Sequence, residues 1–215
     1  MMTGSSDGSK GGNMTEKRMI PLRASLPDKC FSHLQSTGEL IVITKGEKGY
    51  TPTGKYDENH SPKYAALRGT VGNYKGEASG SDKQYSFNIP ALGKAETVHV
   101  FESAIDLLSY ASMEYMAGRD WRREHLLSLA GVFKTERPNV VPVALQRFLK
   151  SHPEVHTLNL HLDADEIGRG AAAGIISGLG NRYKVTDNPP KHGKDINDEL
   201  RYQLAKTKKK ENQTR

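Results

Sequence analysis

Acidic residues recur in three short motifs between residues 102 and 198. The motifs are E-x-x-x-D, D-x-D and G-K-D-I-N-D, and their acidic residues are Glu102, Asp106, Asp163, Asp165, Asp195 and Asp198. Carboxylates that are brought together repel one another unless a cation lies between them, and hard oxygen ligands of this kind suit Mg²⁺. If the fold gathers these motifs, they predict a magnesium site that is able to accept substrate phosphates.

The segments around these motifs alternate between strand and helix patterns. Strands are predicted over residues 96–101, 126–132, 155–163 and 182–186. Helices are predicted over 103–116, over 121–125 with Asp120 as its cap, over 142–150, over 166–180 and from 197 onward. This order predicts an α/β fold with a mainly parallel sheet and right-handed crossovers. The acidic motifs follow the first, third and fourth strands, so they should meet at the carboxyl edge of the sheet.

Each acidic residue taken alone has a simpler explanation. An Asp at a helix start is more often an N-cap than a metal ligand, and a single D-x-D or a Glu after a strand is a weak signal. The ordered set of three motifs, each in the same context, favours the metal site.

Composition divides the rest of the chain. The 215 residues carry a net charge of +6, with 13 basic and 15 acidic residues within 95–205 and five basic residues and one acid within 206–215. We expect a disordered segment over 1–18, a small β-rich lobe over 19–94, a catalytic α/β unit over 95–205 and a basic tail over 206–215. The tail is interpreted either as a solvated helix end or as a weak attraction for nucleic acid.

The single cysteine and the hydropathy pattern limit the class of protein. Cys30 cannot form an internal disulfide or a multi-cysteine zinc site. The chain has no apolar run of membrane-spanning length and no apolar stretch near residue 1 that suits a signal peptide. These features predict a cytoplasmic protein.

Several motifs in one order resemble a known family. FESAIDLLSY, LDADEIGRGAA and GKDINDEL resemble the three signatures of the Toprim domain, which bacterial primases, topoisomerases, OLD-family nucleases and RecR-type repair proteins share. With HSPKYAALRGT, SGSDKQYSF and LSLAGV, the chain is similar over roughly residues 60–202 to the Toprim-containing, primase-like proteins of bacterial plasmids and integrative elements. The resemblance implies a Toprim sheet of about four parallel strands and a primase-like lobe before it.

The resemblance also implies roles for individual residues. Glu102 matches the family's glutamate, a general acid/base or metal ligand, and Asp163 and Asp165 match its metal-binding D-x-D. Asp106 and Asp195 match further acids of the primase pattern, whereas Asn197 replaces the second acid of the last motif and Asp198 follows it. That departure puts a second metal ion in doubt.

Basic residues near these motifs are expected to contact nucleic acid. Lys83 in SDKQYSF, Arg68 in YAALRG and Lys194 in GKDIND are the candidates for phosphate contacts. An exposed lysine that is merely solvated is an equally good explanation for Lys83.

The resemblance favours a Mg²⁺-dependent nucleotidyl transferase of the DNA primase type, acting on single-stranded template and nucleotides in mobile-element replication or transfer, with Mn²⁺ as a possible substitute. A Toprim nuclease and a non-catalytic DNA-binding or recruiting module are the alternatives. The cysteine-based zinc finger of related proteins cannot be built here. DNA recognition is therefore expected either from a partner protein or from sequence that a truncated form lacks.

Overall fold

The protein is described from a computed structural model. The structure describes residues 39–44, 63–69, 75–77, 79–132 and 139–213. The predicted disordered segment 1–18, Cys30 and much of the predicted β-rich lobe lie outside these ranges, so their predictions stay untested.

The described chain contains eight strands and four α-helices. The strands are β1 (Glu39–Thr44), β2 (Tyr64–Gly69), β3 (Lys75–Glu77), β4 (Asn88–Ile89), β5 (Thr97–Phe101), β6 (His125–Ser128), β7 (Thr157–His161) and β8 (Lys184–Asp187). The helices are α1 (Ala104–Met116), α2 (Val143–Ser151), α3 (Glu166–Leu179) and α4 (Ile196–Gln213), with short 3₁₀ turns at Lys83–Tyr85 and Gly180–Arg182.

The first three strands form a small antiparallel sheet. Its order is β1-β2-β3, and β1 pairs along its full length with β2, from Glu39 opposite Gly69 to Thr44 opposite Tyr64. The Tyr64 hydroxyl donates to Glu77 Oε1 on β3 at 3.3 Å. Short apolar runs separated by turn residues predicted hairpins of this kind.

The main sheet has the order β4-β6-β5-β7-β8. Strands β5, β6, β7 and β8 run parallel, so the predicted α/β fold class with a mainly parallel sheet is confirmed. The pairing of β4 with β6 is antiparallel and was not predicted. This edge strand consists of only Asn88 and Ile89, and the next residue, Pro90, has no backbone N–H to donate to a neighbouring strand. Two residues are too few to show the alternation that predicts a strand.

Helices cover both faces of the main sheet. One core cluster packs α1 on Phe101 and Leu126, and the other packs α2 and α3 on Val98, Val100 and Leu160. The central strand β5 is almost wholly buried, whereas β7 alternates buried leucines with half-buried Asn159 and His161. This alternation is the pattern from which a strand was predicted.

The predicted helix over residues 121–125 is wrong. Residues 117–124 form turns and bends before β6 begins at His125. Asp120 Oδ1 accepts from the Arg122 N–H at 3.2 Å, and the Asp120 carbonyl accepts from the Arg123 N–H. The aspartate therefore closes a local turn, and five residues are too few to sustain a helix against that competition.

Helix α4 extends through most of the predicted basic tail. Its bounds are Ile196 and Gln213, and residues 204–209 are exposed. Within the ranges that the structure describes, every helix is too short or too polar to cross a bilayer.

Candidate functional site

The first and second acidic motifs leave adjacent strands at the same edge of the sheet. Strands β5 and β7 are parallel neighbours, and Phe101 pairs with His161 at their last residues. Glu102 is the next residue after β5, and Asp163 lies two residues beyond β7. The register therefore brings these two carboxylates together.

Glu102 sits among like charges. Burial, together with the carboxylates of Asp163, Asp106 and Asp165, raises its pKa to about 7, although the Lys194 ammonium opposes them. The Glu102 carbonyl accepts from the Gly131 N–H at 2.8 Å, which fixes the loop after β6 beside this residue. A glutamate with this pKa can both release and accept a proton near neutral pH.

Asp106 lies one helical turn further on, on the buried side of α1. Ser103 caps that helix, and its hydroxyl donates to Asp106 Oδ2 at 2.5 Å. Burial raises the pKa of Asp106 to about 6, although the hydrogen bond from Ser103 opposes this. The Asn197 N–H also donates to Asp106, so the first turn of α4 meets α1 at the site.

Lys194 links the two carboxylates of the D-x-D motif. Its Nζ atom lies 3.2 Å from Asp163 Oδ2 and 2.9 Å from Asp165 Oδ2. Burial raises the pKa of Asp163 despite this ammonium group, whereas the Gly168 N–H and Lys194 lower the pKa of Asp165. The two carboxylates raise the pKa of Lys194. A cationic group thus already lies between the two acids, where a metal ion could replace it.

Gly168 explains the spacing of the D-x-D-x-x-G motif. Asp165 is the N-cap of α3, and its Oδ1 accepts from the Gly168 N–H at 2.9 Å. A Cβ atom at residue 168 would lie 2.2 Å from the backbone oxygen of Asp163, closer than real Cβ contacts. Only glycine lets the helix begin this close to the strand end, so the turn that aims both aspartates depends on it.

Arg169 supports the same turn and was not predicted as a site residue. Its guanidinium donates to the carbonyls of Asp163 at 3.1 Å and Leu162 at 2.8 Å, and it pairs with Asp187 at 2.5 Å. The arginine therefore ties the strand end of β7 to the end of β8. Its position directly after the D-x-D-x-x-G motif is the sequence feature that could have identified it.

The third motif divides its acids between two tasks. Asp195 lies close enough to act electrostatically on both Asp106 and Asp163. Its Oδ1 also accepts from the Asp198 N–H at 2.7 Å, which makes it a cap for α4. Asp198 accepts from the Lys194 N–H at 3.1 Å and pairs with Arg201. The structure therefore brings Asp195 to the site and uses Asp198 in the helix cap.

Asn197, which stands at the second acid position of the primase pattern, is buried. Its side-chain oxygen Oδ1 has no hydrogen-bond partner among the described residues. Buried acceptors usually find a donor or a cation. The structure places the backbone N–H of Asn197, rather than its side chain, against Asp106.

The other two basic candidates lie elsewhere. Lys83 Nζ donates to the Ala130 carbonyl at 2.9 Å and pairs with Glu77 at 3.2 Å. It therefore holds the loop after β6, next to Gly131, and joins it to β3. Arg68 lies in β2, and its side chain is outside what the structure describes.

The donor set fits a hard divalent cation. Glu102, Asp106, Asp163, Asp165 and Asp195 supply carboxylate oxygens, and burial raises the pKa values of three of them, so their charged forms would gain from a nearby cation. Asp163 and Asp165 are the groups that would hold such an ion, with Glu102 beside them and Lys194 displaced toward solvent.

The comparisons with known proteins agree with this architecture. Residues 99–200 match the family model described as Toprim-like. This segment of the chain is similar to a Toprim-like domain. This confirms the resemblance at the level of the Toprim superfamily, and no curated protein matches the chain.

Two solved structures are similar to the chain. The primase fragment of the bacteriophage T7 primase-helicase protein is 14% identical, with a TM-score of 0.47 over 95% of this chain and 81% of that one. A chain from the bacteriophage T7 lagging-strand DNA polymerase structure, which includes primase domains bound to an RNA/DNA hybrid and dTTP, is also 14% identical, with a TM-score of 0.48 over 84% of this chain and 86% of that one.

Proposed function

We propose that the protein is a primase-like nucleotidyl transferase that joins nucleotides on a single-stranded DNA template. The observation that carries this proposal is the convergence of acids from three motifs at one strand edge around Glu102, with a lysine between the D-x-D carboxylates. The Toprim-like family match supports a phosphate-directed role for such a cluster.

Each residue has a defined task in this proposal. Asp163 and Asp165 hold Mg²⁺, or Mn²⁺ in its place, with Asp106 and Asp195 available to support it and Asp198 restricted to the cap. The ion would supply charge neutralisation at the phosphates. Glu102 accepts the proton of the attacking hydroxyl, and pyrophosphate leaves as the new phosphodiester bond forms. Lys194, once released from the aspartates, is free to contact a phosphate oxygen.

The organisation of the chain follows from the same proposal. Residues 95–205 form the catalytic unit, and the lobe over 19–94 guides the template, with Lys83 and Arg68 contributing positive charge. Residues 206–213 extend α4 as a basic end. We place the protein in the cytoplasm, in the replication or transfer of a mobile element such as a plasmid, with DNA recognition shared with a partner replication or mobilisation protein.

A primer-synthesis assay tests the proposed reaction. The full chain is incubated with single-stranded DNA, ribonucleotides and Mg²⁺ or Mn²⁺, beside Asp163→Ala and a control, Asp120→Asn, from the turn before β6. We expect oligonucleotide products from the wild type and the control but not from Asp163→Ala. Template shortening would instead identify a nuclease. A DNA mobility shift without either reaction would identify a binding module.

A further inference from the structure

Two histidines and a glutamate lie together at the edge of the main sheet opposite the acidic site. His125 begins β6, His152 follows the last residue of α2, and Glu154 precedes β7. One ligand atom of each side chain lies within 4.8 Å of the others, and His125 Nε2 is 4.0 Å from Glu154 Oε1. Because β6 and β7 run parallel to β5, their first residues lie at the amino edge, a strand length from Glu102.

The His125 ring is buried and incompletely paired. Its side chain is 5% exposed, and its Nε2 atom finds no hydrogen-bond partner in the described part of the chain. The other ring nitrogen, Nδ1, accepts from the Ala91 N–H at 3.1 Å. An unpaired ring nitrogen in a buried position costs stability, and Glu154 and His152 are the metal-binding side chains that lie beside it.

The His152 ring is held in the tautomer that binds metals. Its Nδ1 atom donates to the Phe148 carbonyl at 3.0 Å, which leaves the lone pair on Nε2. The ring is stacked on Phe148 with centroids 4.1 Å apart, and it meets the His125 ring edge-on at 4.8 Å. Metal-binding histidines usually donate their second N–H to a backbone carbonyl in this way.

We propose that His125, His152 and Glu154 bind one zinc ion, with water as the fourth ligand. Two imidazoles and a carboxylate are a common zinc donor set, unlike the all-oxygen set at the acidic site. Ligand atoms in a tetrahedral zinc site lie about 3.4 Å apart, so the three groups must close by about 1 Å. Glu154, whose side chain is 45% exposed, is free to make most of that movement.

Zinc binding requires a proton shift within the His125 ring. The Ala91 N–H keeps the proton of the neutral ring on Nε2 in the metal-free chain. Binding through Nε2 requires that this proton move to Nδ1 or leave the ring, and the backbone of Ala95 also interacts with the ring. The hydrogen bond from Ala91 is lost in exchange for the zinc–nitrogen bond.

The bound ion would connect β6 to the segment between α2 and β7. That role is structural, because the three residues lie away from the carboxyl ends of the strands. The proposal does not depend on the nucleotidyl transferase activity, so failure of one leaves the other standing.

Titration of the metal-free full chain with Zn²⁺ tests the site. Calorimetry should detect one tight ion per chain and a raised melting temperature, and Co²⁺ in its place should give the visible absorption of a tetrahedral site. His152→Gln and Glu154→Gln should each weaken zinc binding by about tenfold or more. These variants avoid the buried His125, whose replacement endangers folding.

His156→Gln is the matched control, because His156 is an exposed histidine two residues beyond Glu154. It should bind zinc as the wild type does, and so should the double variant Asp163→Asn with Asp165→Asn. Absence of tight zinc binding in the wild type, or equal binding by the wild type and His152→Gln, would overturn the proposal.

Discussion

The two edges of the main sheet carry different chemistry. At the carboxyl edge, carboxylates follow β5 and β7 and lie close to a lysine. At the amino edge, two histidines and one glutamate lie together, and Nε2 of one histidine, His125, has no hydrogen-bond partner among the described residues. The carboxylates repel one another and prefer a hard, hydrated cation, whereas the two imidazoles and the glutamate suit a borderline-soft ion.

This difference follows from the position of each group of side chains in the fold. The carboxyl ends of parallel strands open into loops and helix N-termini, where side chains such as Asp165 reach solvent. At the amino edge, His125 is packed under the loop that contains Ala91, and His152 is packed on Phe148. We therefore assign chemistry to the first edge and stability to the second.

Gly168→Ala should have the largest effect, because it breaks the turn that forms the carboxyl edge. A Cβ atom there would overlap the Asp163 backbone oxygen, so we expect a loss of about 3 kcal/mol in the free energy of unfolding, together with loss of Mg²⁺ binding. Denaturant unfolding and calorimetry measure both.

Gly170→Ala is the control for that substitution, since nothing lies within 4 Å of its Cβ position. It should stabilise α3 by about 0.5–1 kcal/mol. Equal stability of the two variants would contradict the close approach of α3 to Asp163.

Glu102→Gln should separate activity from stability. Primer synthesis should fall about 100-fold or more, because the proton acceptor is gone. The folded-state pKa of Glu102, about 7, exceeds its ordinary value of 4.5. The contribution of Glu102 to wild-type stability is therefore lost as pH rises from 4.5 to 7. The glutamine variant should be more stable than the wild type at pH 8 by about 1–3 kcal/mol.

The pH profile provides the check on this prediction. Without metal, the stability advantage of Glu102→Gln should vanish near pH 4.5, and Mg²⁺ should remove most of it at pH 8 by stabilising the wild type. A variant that is less stable than the wild type at pH 8 without metal would contradict the crowding of charges.

Lys194→Ala tests whether the lysine and the metal compete. Removing the ammonium group leaves Asp163 and Asp165 uncompensated, so Mg²⁺ affinity should rise about threefold to tenfold while the KM for nucleotide also rises. Lys191→Ala removes a nearby positive charge outside the D-x-D contacts and serves as the control. Weaker Mg²⁺ binding by Lys194→Ala, measured by calorimetry, would show that the lysine supports the ion.

Asp198→Asn should have the smallest effect. The carboxylate accepts the Lys194 N–H and pairs with Arg201, so we expect a loss of about 0.5–1 kcal/mol in unfolding free energy and unchanged Mg²⁺ affinity. A clear loss of Mg²⁺ affinity would move Asp198 from the helix cap into the metal site.

The sequence predicted the parallel strands and the positions of most acids, because hydrophobic periodicity and strand-end position are local signals. It failed where competition between local interactions decides the outcome: Asp120 closes a turn, and β4 is too short to recognise. The importance of Gly168 depends on a backbone approach that only three-dimensional packing reveals.

The group of His125, His152 and Glu154 could not be predicted from the sequence either. Proximity in sequence groups His152 with His156 and His161, but those two histidines are not members of the cluster. The nearest histidine in space is His125, 27 residues earlier, and only the parallel register of β6 with its neighbours brings it there. Long-range pairing of this kind has no periodic signal in the chain.

Mg²⁺ titration by calorimetry is the direct test of whether Asp163 and Asp165 bind the metal ion. The wild type, His152→Gln and the double variant Asp163→Asn with Asp165→Asn are compared at pH 8. We predict that the wild type and His152→Gln bind Mg²⁺ alike and that the double variant loses binding. Undiminished Mg²⁺ binding by the double variant would contradict the assignment of the metal to the carboxyl edge.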